Sequence, residues 1–110
     1  MAGGILLQSA SDAGNGNAFD FRGMGGTYQF SVEPSGTVTS GEVQFEHAPE
    51  TDYTGTWVPI GSAIAPSTGV WQAFSTTGKF FAVRGRISTA IGGGGTVKVR
   101  VGPPLVGLYD

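Results

Sequence analysis

The stretch Thr96-Val97-Lys98-Val99-Arg100-Val101 alternates without a fault. Val97, Val99 and Val101 point one way; Thr96, Lys98 and Arg100 point the other. Successive side chains of a β-strand face opposite sides, so this pattern demands a sheet with one buried and one wet face. Upstream, Lys79 to Ser88 reads as a second strand, with Phe81, Val83 and Ile87 as its apolar set and Arg84 and Arg86 in water. Gly92-Gly93-Gly94-Gly95 lies between them, where a turn needs positive φ. The pair is therefore predicted to form a long hairpin.

The same alternation recurs. Ala18 to Arg22 places Phe19 and Phe21 inward, and Gly23 to Gly26 is expected to end that strand. Thr27 to Glu33 buries Tyr28, Phe30 and Val32. Gly41 to His47 sets Val43, Phe45 and His47 against Glu42, Gln44 and Glu46. Shorter runs at Ile5 to Leu7, Thr37 to Thr39, Thr56 to Ile60 and Val70 to Phe74 complete the set, with Pro59 marking an edge or a bulge. No window of helical length shows helical periodicity with caps. These residues predict one all-β domain: a single-domain antiparallel β-sandwich, jelly-roll or Ig-like, of about eight strands.

Both ends are predicted to be extended arms. Residues 1–16 form an N-terminal arm and loop, 17–101 the β-sandwich domain, and 102–110 a C-terminal arm. Pro103 and Pro104 stiffen the start of the latter. Apolar residues on an arm need a surface to land on, so Ile5, Leu6, Leu7, Leu105, Val106, Leu108 and Tyr109 are the candidate partner-binding residues.

Composition narrows the function. Charged residues are 13% of the 110, about half of ordinary usage. A surface so thin in charge points to coverage by a partner or by copies of the same chain. The net charge of −2 is too far from basic for a nucleic-acid binder. The absence of cysteine excludes thiol catalysis, zinc-thiolate sites and disulfides, and favours folding in a reducing cytoplasm. The first residues lack the basic start of a signal peptide, and no apolar run reaches membrane-spanning length.

Candidate sites are few. Asp12, Asn15, Asn17 and Asp20 offer oxygen ligands, but the spacing departs from a calcium loop and reads as an Asx-rich turn. His47 is the only histidine; it has no nucleophile elbow to serve and reads as a core-edge or interface residue. Glu42, Glu46, Glu50 and Asp52 cluster in sequence, with Glu42 and Glu46 expected on a solvated face rather than flanking a cleft. Tyr53, Trp57 and Trp71 suit a sandwich core better than a sugar-stacking platform. If the hairpin pairs, Arg84, Arg86, Lys98 and Arg100 make a basic stripe, a possible surface contact. The tetraglycine lacks the Lys-Ser/Thr of a phosphate loop. The reading is non-enzymatic, with no catalytic residue, cofactor or metal.

Three pieces in order carry a resemblance: Gly41-Glu42-Val43-Gln44-Phe45-Glu46 leading to Gly55-Thr56-Trp57, then Val83 to Ser88, then Gly95 to Val101. Together, over roughly residues 26 to 101, this order resembles small β-sandwich proteins of tailed-bacteriophage virions, the kind that decorate or cement the capsid. The resemblance implies a structural virion protein made in bacterial cytoplasm. It implies binding to the major capsid protein lattice and self-association, with a trimer favoured. The alternatives are a carbohydrate- or receptor-binding β-module of a phage tail, which predicts exposed Tyr53, Trp57 or Trp71, and a tail-tube or connector subunit.

Overall fold

A computed structural model describes residues 4–102. They form six strands: β1 (Gly4–Ala10), β2 (Gly14–Ser35), β3 (Ser40–Ala48), β4 (Val58–Ile64), β5 (Gln72–Gly92) and β6 (Thr96–Gly102). All pair antiparallel in one sheet of order β1-β6-β2-β5-β3-β4. No helix occurs among the described residues.

Six strands stand where about eight were expected, because two strands are double length. β2 joins Ala18–Arg22 to Thr27–Glu33, and β5 joins Gln72–Phe74 of the expected Val70–Phe74 run to Lys79–Ser88, while Thr37–Thr39 is not a strand. The expected break at Gly23 to Gly26 is instead a bend. Arg22 and Gly23 take φ of +57° and +77° in succession, and the Asp20 carboxylate accepts the Arg22 amide at 2.8 Å. The ladder to β5 skips between Asp20 and Met24. Such an irregularity shifts the inward phase of a strand. Before it, Phe19 and Phe21 face the core; after it, Tyr28, Phe30 and Val32 do.

The same shift corrects the reading of β5. Phe81 was placed in the apolar set, but Phe80 and Val83 are the buried pair and Phe81 is 47% exposed. Its ring lies over Gly23, where a Cβ would stand 2.7 Å from the ring edge. Tyr28 closes the gap in the ladder. Its hydroxyl donates to the Met24 carbonyl and is met by the Phe80 backbone. Burial pushes this phenol above its ordinary pKa, and the Phe80 hydrogen bond partly offsets that.

The predicted hairpin does not form. β2 lies between β5 and β6. The first half of β2, from Gly14 to Asp20, pairs with Ala82–Ile87, and the second half, from Met24 to Val32, with Gln72–Phe80. β6 joins the second half of β2 and carries β1 beyond it. β3 joins the second half of β5 and carries β4. The bend folds these two halves face to face. Phe30 is level with Phe74 in the register, and Phe45 is level with Gly85; yet the Phe30 and Phe45 rings sit 4.8 Å apart. Gly93 and Gly94, with φ of +102° and +90°, carry the chain from one half to the other rather than closing a hairpin.

Between the halves lies the core: Tyr28, Phe30, Val32, Val43, Phe45, Val83, Ile87, Val97, Val99 and Val101 are almost completely buried. Each such side chain stabilises the fold by about 1.5–3 kcal/mol relative to exposure. The first residues belong to the sheet too. β1 pairs with β6 of its own chain, and Leu6 is fully buried. It rests on a floor made by Gly16 and Gly85; a Cβ on Gly16 would collide with the Leu6 carbonyl.

Candidate functional site

β3 and the second half of β5 present Glu46, Ala48, Ala82, Arg84 and Arg86 on the side away from the main core. This face is not open to water. The loop of residues 49–57 returns across it and seals Trp57 against Ala48, Ala82 and Ala18 in a second, smaller apolar cluster. Glu46, expected on a solvated face, is 4% exposed. Its two carboxylate oxygens hold Arg84 at 2.9 Å and Arg86 at 3.0 Å. The Arg84 guanidinium also lies 4.2 Å from the Trp57 ring centre, and the Trp57 indole donates to the Tyr53 carbonyl at 3.0 Å. A chain of contacts thus runs from Glu46 to the loop.

The basic stripe therefore does not exist as predicted. Arg84 and Arg86 belong to one half of the bent sheet and share the single carboxylate of Glu46. Lys98 and Arg100 belong to β6 in the other half, where Arg100 pairs with Glu33 at 2.8 Å and Lys98 stands opposite Glu33 in the register. Glu42, Glu50 and Asp52 are exposed. Asp12 is exposed just before β2, Asn15 and Asn17 are exposed along its start, and Asp20 serves the bend. Among the described residues no group of three or more acidic, histidine or cysteine side chains could hold a metal ion.

Below the loop the structure opens into a groove of about 430 Å³. Pro49, Tyr53, Val58 and Phe81 supply apolar surface; His47 and Lys79 supply the polar groups. No carboxylate lines it among the described residues. His47 is half-buried, edge-on to the Phe80 ring at 4.9 Å, and burial lowers its pKa from the ordinary imidazole value. Sequence reasoning missed this groove because Phe81 was assigned inward; the bend that turns it out is local backbone geometry. Val58 was legible only as the neighbour of an edge-marking proline.

The three candidate platform aromatics do not share one exposed face, although Trp57 and Tyr53 are hydrogen-bonded. Trp57 is buried, while Tyr53 lines the groove and Trp71 is 60% exposed just before β5. Trp71 and Phe81 stand ten positions apart in sequence, about 30 Å in extended chain. Of the arm residues, Leu6 is in the core and Leu7 packs against it. The side chain of Ile5, and Leu105, Val106, Leu108 and Tyr109, lie outside the described residues.

The chain matches no family model, no curated protein and no solved structure.

Proposed function

We propose that this chain is a non-enzymatic structural protein of a tailed-phage virion. It decorates and stabilises the capsid by binding the lattice of major capsid protein, as a homo-oligomer with a trimer favoured. It is made in the host bacterial cytoplasm and carried on the capsid surface. The observation that supports this best is the disposition of charge and apolar surface. Three of the cations, Arg84, Arg86 and Arg100, are bound by carboxylates of the same chain. Meanwhile Tyr53, Val58 and Phe81 are left outward around one groove. A chain that pairs half of its six cations internally and exposes clustered apolar groups suits burial in an assembly. In this reading the bent sheet acts as a two-layered β-sandwich. Its 20 Å thinnest extent matches two layers about 10 Å apart with their side chains. Many copies of a modest contact would sum to firm attachment.

The test is co-sedimentation of the purified chain with undecorated capsids of its phage. Saturation at a fixed number of copies per capsomer is expected; unchanged free protein at every capsid concentration would remove the reading. The exposure of Trp71 and Tyr53 favours a second reading, a carbohydrate- or receptor-binding module. Titration with soluble oligosaccharides would then quench tryptophan fluorescence.

A further inference from the structure

The groove lies beside an open strand edge. Pairing between β3 and β5 ends at Ala48 opposite Ala82. From Gln72 to Phe80, β5 is paired with β2 on one side, and no strand of the described residues pairs with its other side. Unpaired backbone N–H and C=O groups next to an apolar groove are what an added strand uses: the ladder supplies affinity and the groove selects side chains. We propose that this edge and groove receive residues 103–110 of a second copy of the chain, so that copies join head to tail. The inference rests on the homo-oligomer in the reading above and names its contact.

The chemistry of the two surfaces matches. The segment Pro-Pro-Leu-Val-Gly-Leu-Tyr-Asp carries four apolar side chains and one acid. The groove offers Tyr53, Val58 and Phe81 for the former, and Lys79, with no competing carboxylate, for the latter. In an extended segment Val106, Leu108 and Asp110 share one face. Two apolar groups and one carboxylate then enter together, with the carboxylate toward Lys79. Eight extended residues span about 26 Å, close to the open length of β5.

The donor is a second copy because of where the strand exit stands. Gly102 is opposite Gln29, which is opposite Ser75. The open edge of β5 is thus two strand spacings away, about 10 Å, on the far side of the sheet from β6. A segment reaching that edge from its own Gly102 would first have to cross β2 and β5 over one face of the sheet, using about three of its residues, whereas a segment from a second copy crosses nothing. A segment-in-groove contact uses different patches on its two partners. Such a contact closes into a ring or grows into a filament, and a trimer is one closure.

Light scattering after gel filtration tests this with full-length chains. The unaltered chain is expected at a multiple of 11.2 kDa. Phe81→Asp spoils the groove and Leu108→Asp spoils the segment, so each variant alone is expected at the monomer mass. Mixed in equal amounts they retain one intact groove and one intact segment, and a dimer of one copy each is expected. A monomeric unaltered chain, an undiminished oligomer with Leu108→Asp, or a mixture that stays monomeric would overturn the proposal. If Phe81→Asp lowers the melting temperature into the working range, Val58→Asp at the exposed edge takes its place. Capsid co-sedimentation separates the two readings. An oligomer built this way that never sediments with capsids keeps the contact and loses the virion role; a monomer that sediments does the reverse.

Discussion

Glu46 shows how much one residue can depend on its surroundings. In a strand that alternates so regularly it has the position of a solvated carboxylate, yet the returning loop covers it. A buried carboxylate is costly unless paired, and here both oxygens are taken by guanidinium groups. Replacing it with glutamine keeps the volume and strands two arginines. We expect Glu46→Gln to lose about 2 kcal/mol in urea unfolding. Arg86, 43% exposed, is worth less: Arg86→Met should cost under about 1 kcal/mol. Equal losses for the two would show that burial of Glu46 adds nothing. His47 gives a dependence on pH. Its folded pKa lies below the ordinary value because burial disfavours the cation. The unfolded chain therefore takes up a proton first as pH falls, and the histidine's contribution is lost from about pH 6.5 downward. Unfolding free energy should decline from about pH 7 toward pH 5, and His47→Gln should flatten that decline. Parallel curves for the two proteins would assign the slope elsewhere. The Glu46 environment is not legible in sequence, because neighbours on β5 and in the loop create it; the half-buried place of His47 agrees with its core-edge reading, and only its Phe80 contact needed the fold.

At the scale of elements, strand type and inward face were legible wherever alternation was unbroken, as in β6, in β3 and in the second half of β2. They failed at the bend. Two consecutive left-handed residues at Arg22 and Gly23 shift the phase, and the apolar set of β5 slips with it. Pairing failed as well, because an alternating strand states that it has a buried face but not which neighbour it hydrogen-bonds. The tetraglycine looked like a hairpin turn and instead links the two halves of the bent sheet. Glycine also permits the halves to meet. At Gly85 a Cβ would stand 2.7 Å from Val99 Cγ1. Gly85→Ala should therefore destabilise by about 1–3 kcal/mol. Adding Val99→Ala makes room, so the double variant should be more stable than the sum of the two single losses predicts, by about 0.5 kcal/mol or more. Strict additivity in a thermal-melt cycle would deny that the two residues touch.

The whole molecule is held by distant pairings. β2 and β5 form the longest ladder, and Thr27 faces Thr77 across fifty residues, their hydroxyls 3.0 Å apart. No short hairpin among the central strands can form first and template the rest. Loop-closure entropy must be met before such contacts stabilise anything. Stopped-flow refolding should accordingly take milliseconds to seconds, and a microsecond phase carrying the full native signal would contradict this topology.

The sequence by itself determined the all-β class, most of the inward residues and the thin charge, since each depends on local alternation or on counting. Tertiary structure alone decided three things. It set Leu6 into the core rather than on an arm, split the four basic residues between two halves of one sheet, and turned Phe81 outward beside an open edge. The first follows from the pairing of β1 with β6, and the other two from one bend in two paired strands. A bend is fixed by a few backbone angles and by what packs across it, and neither leaves a periodic trace in the chain.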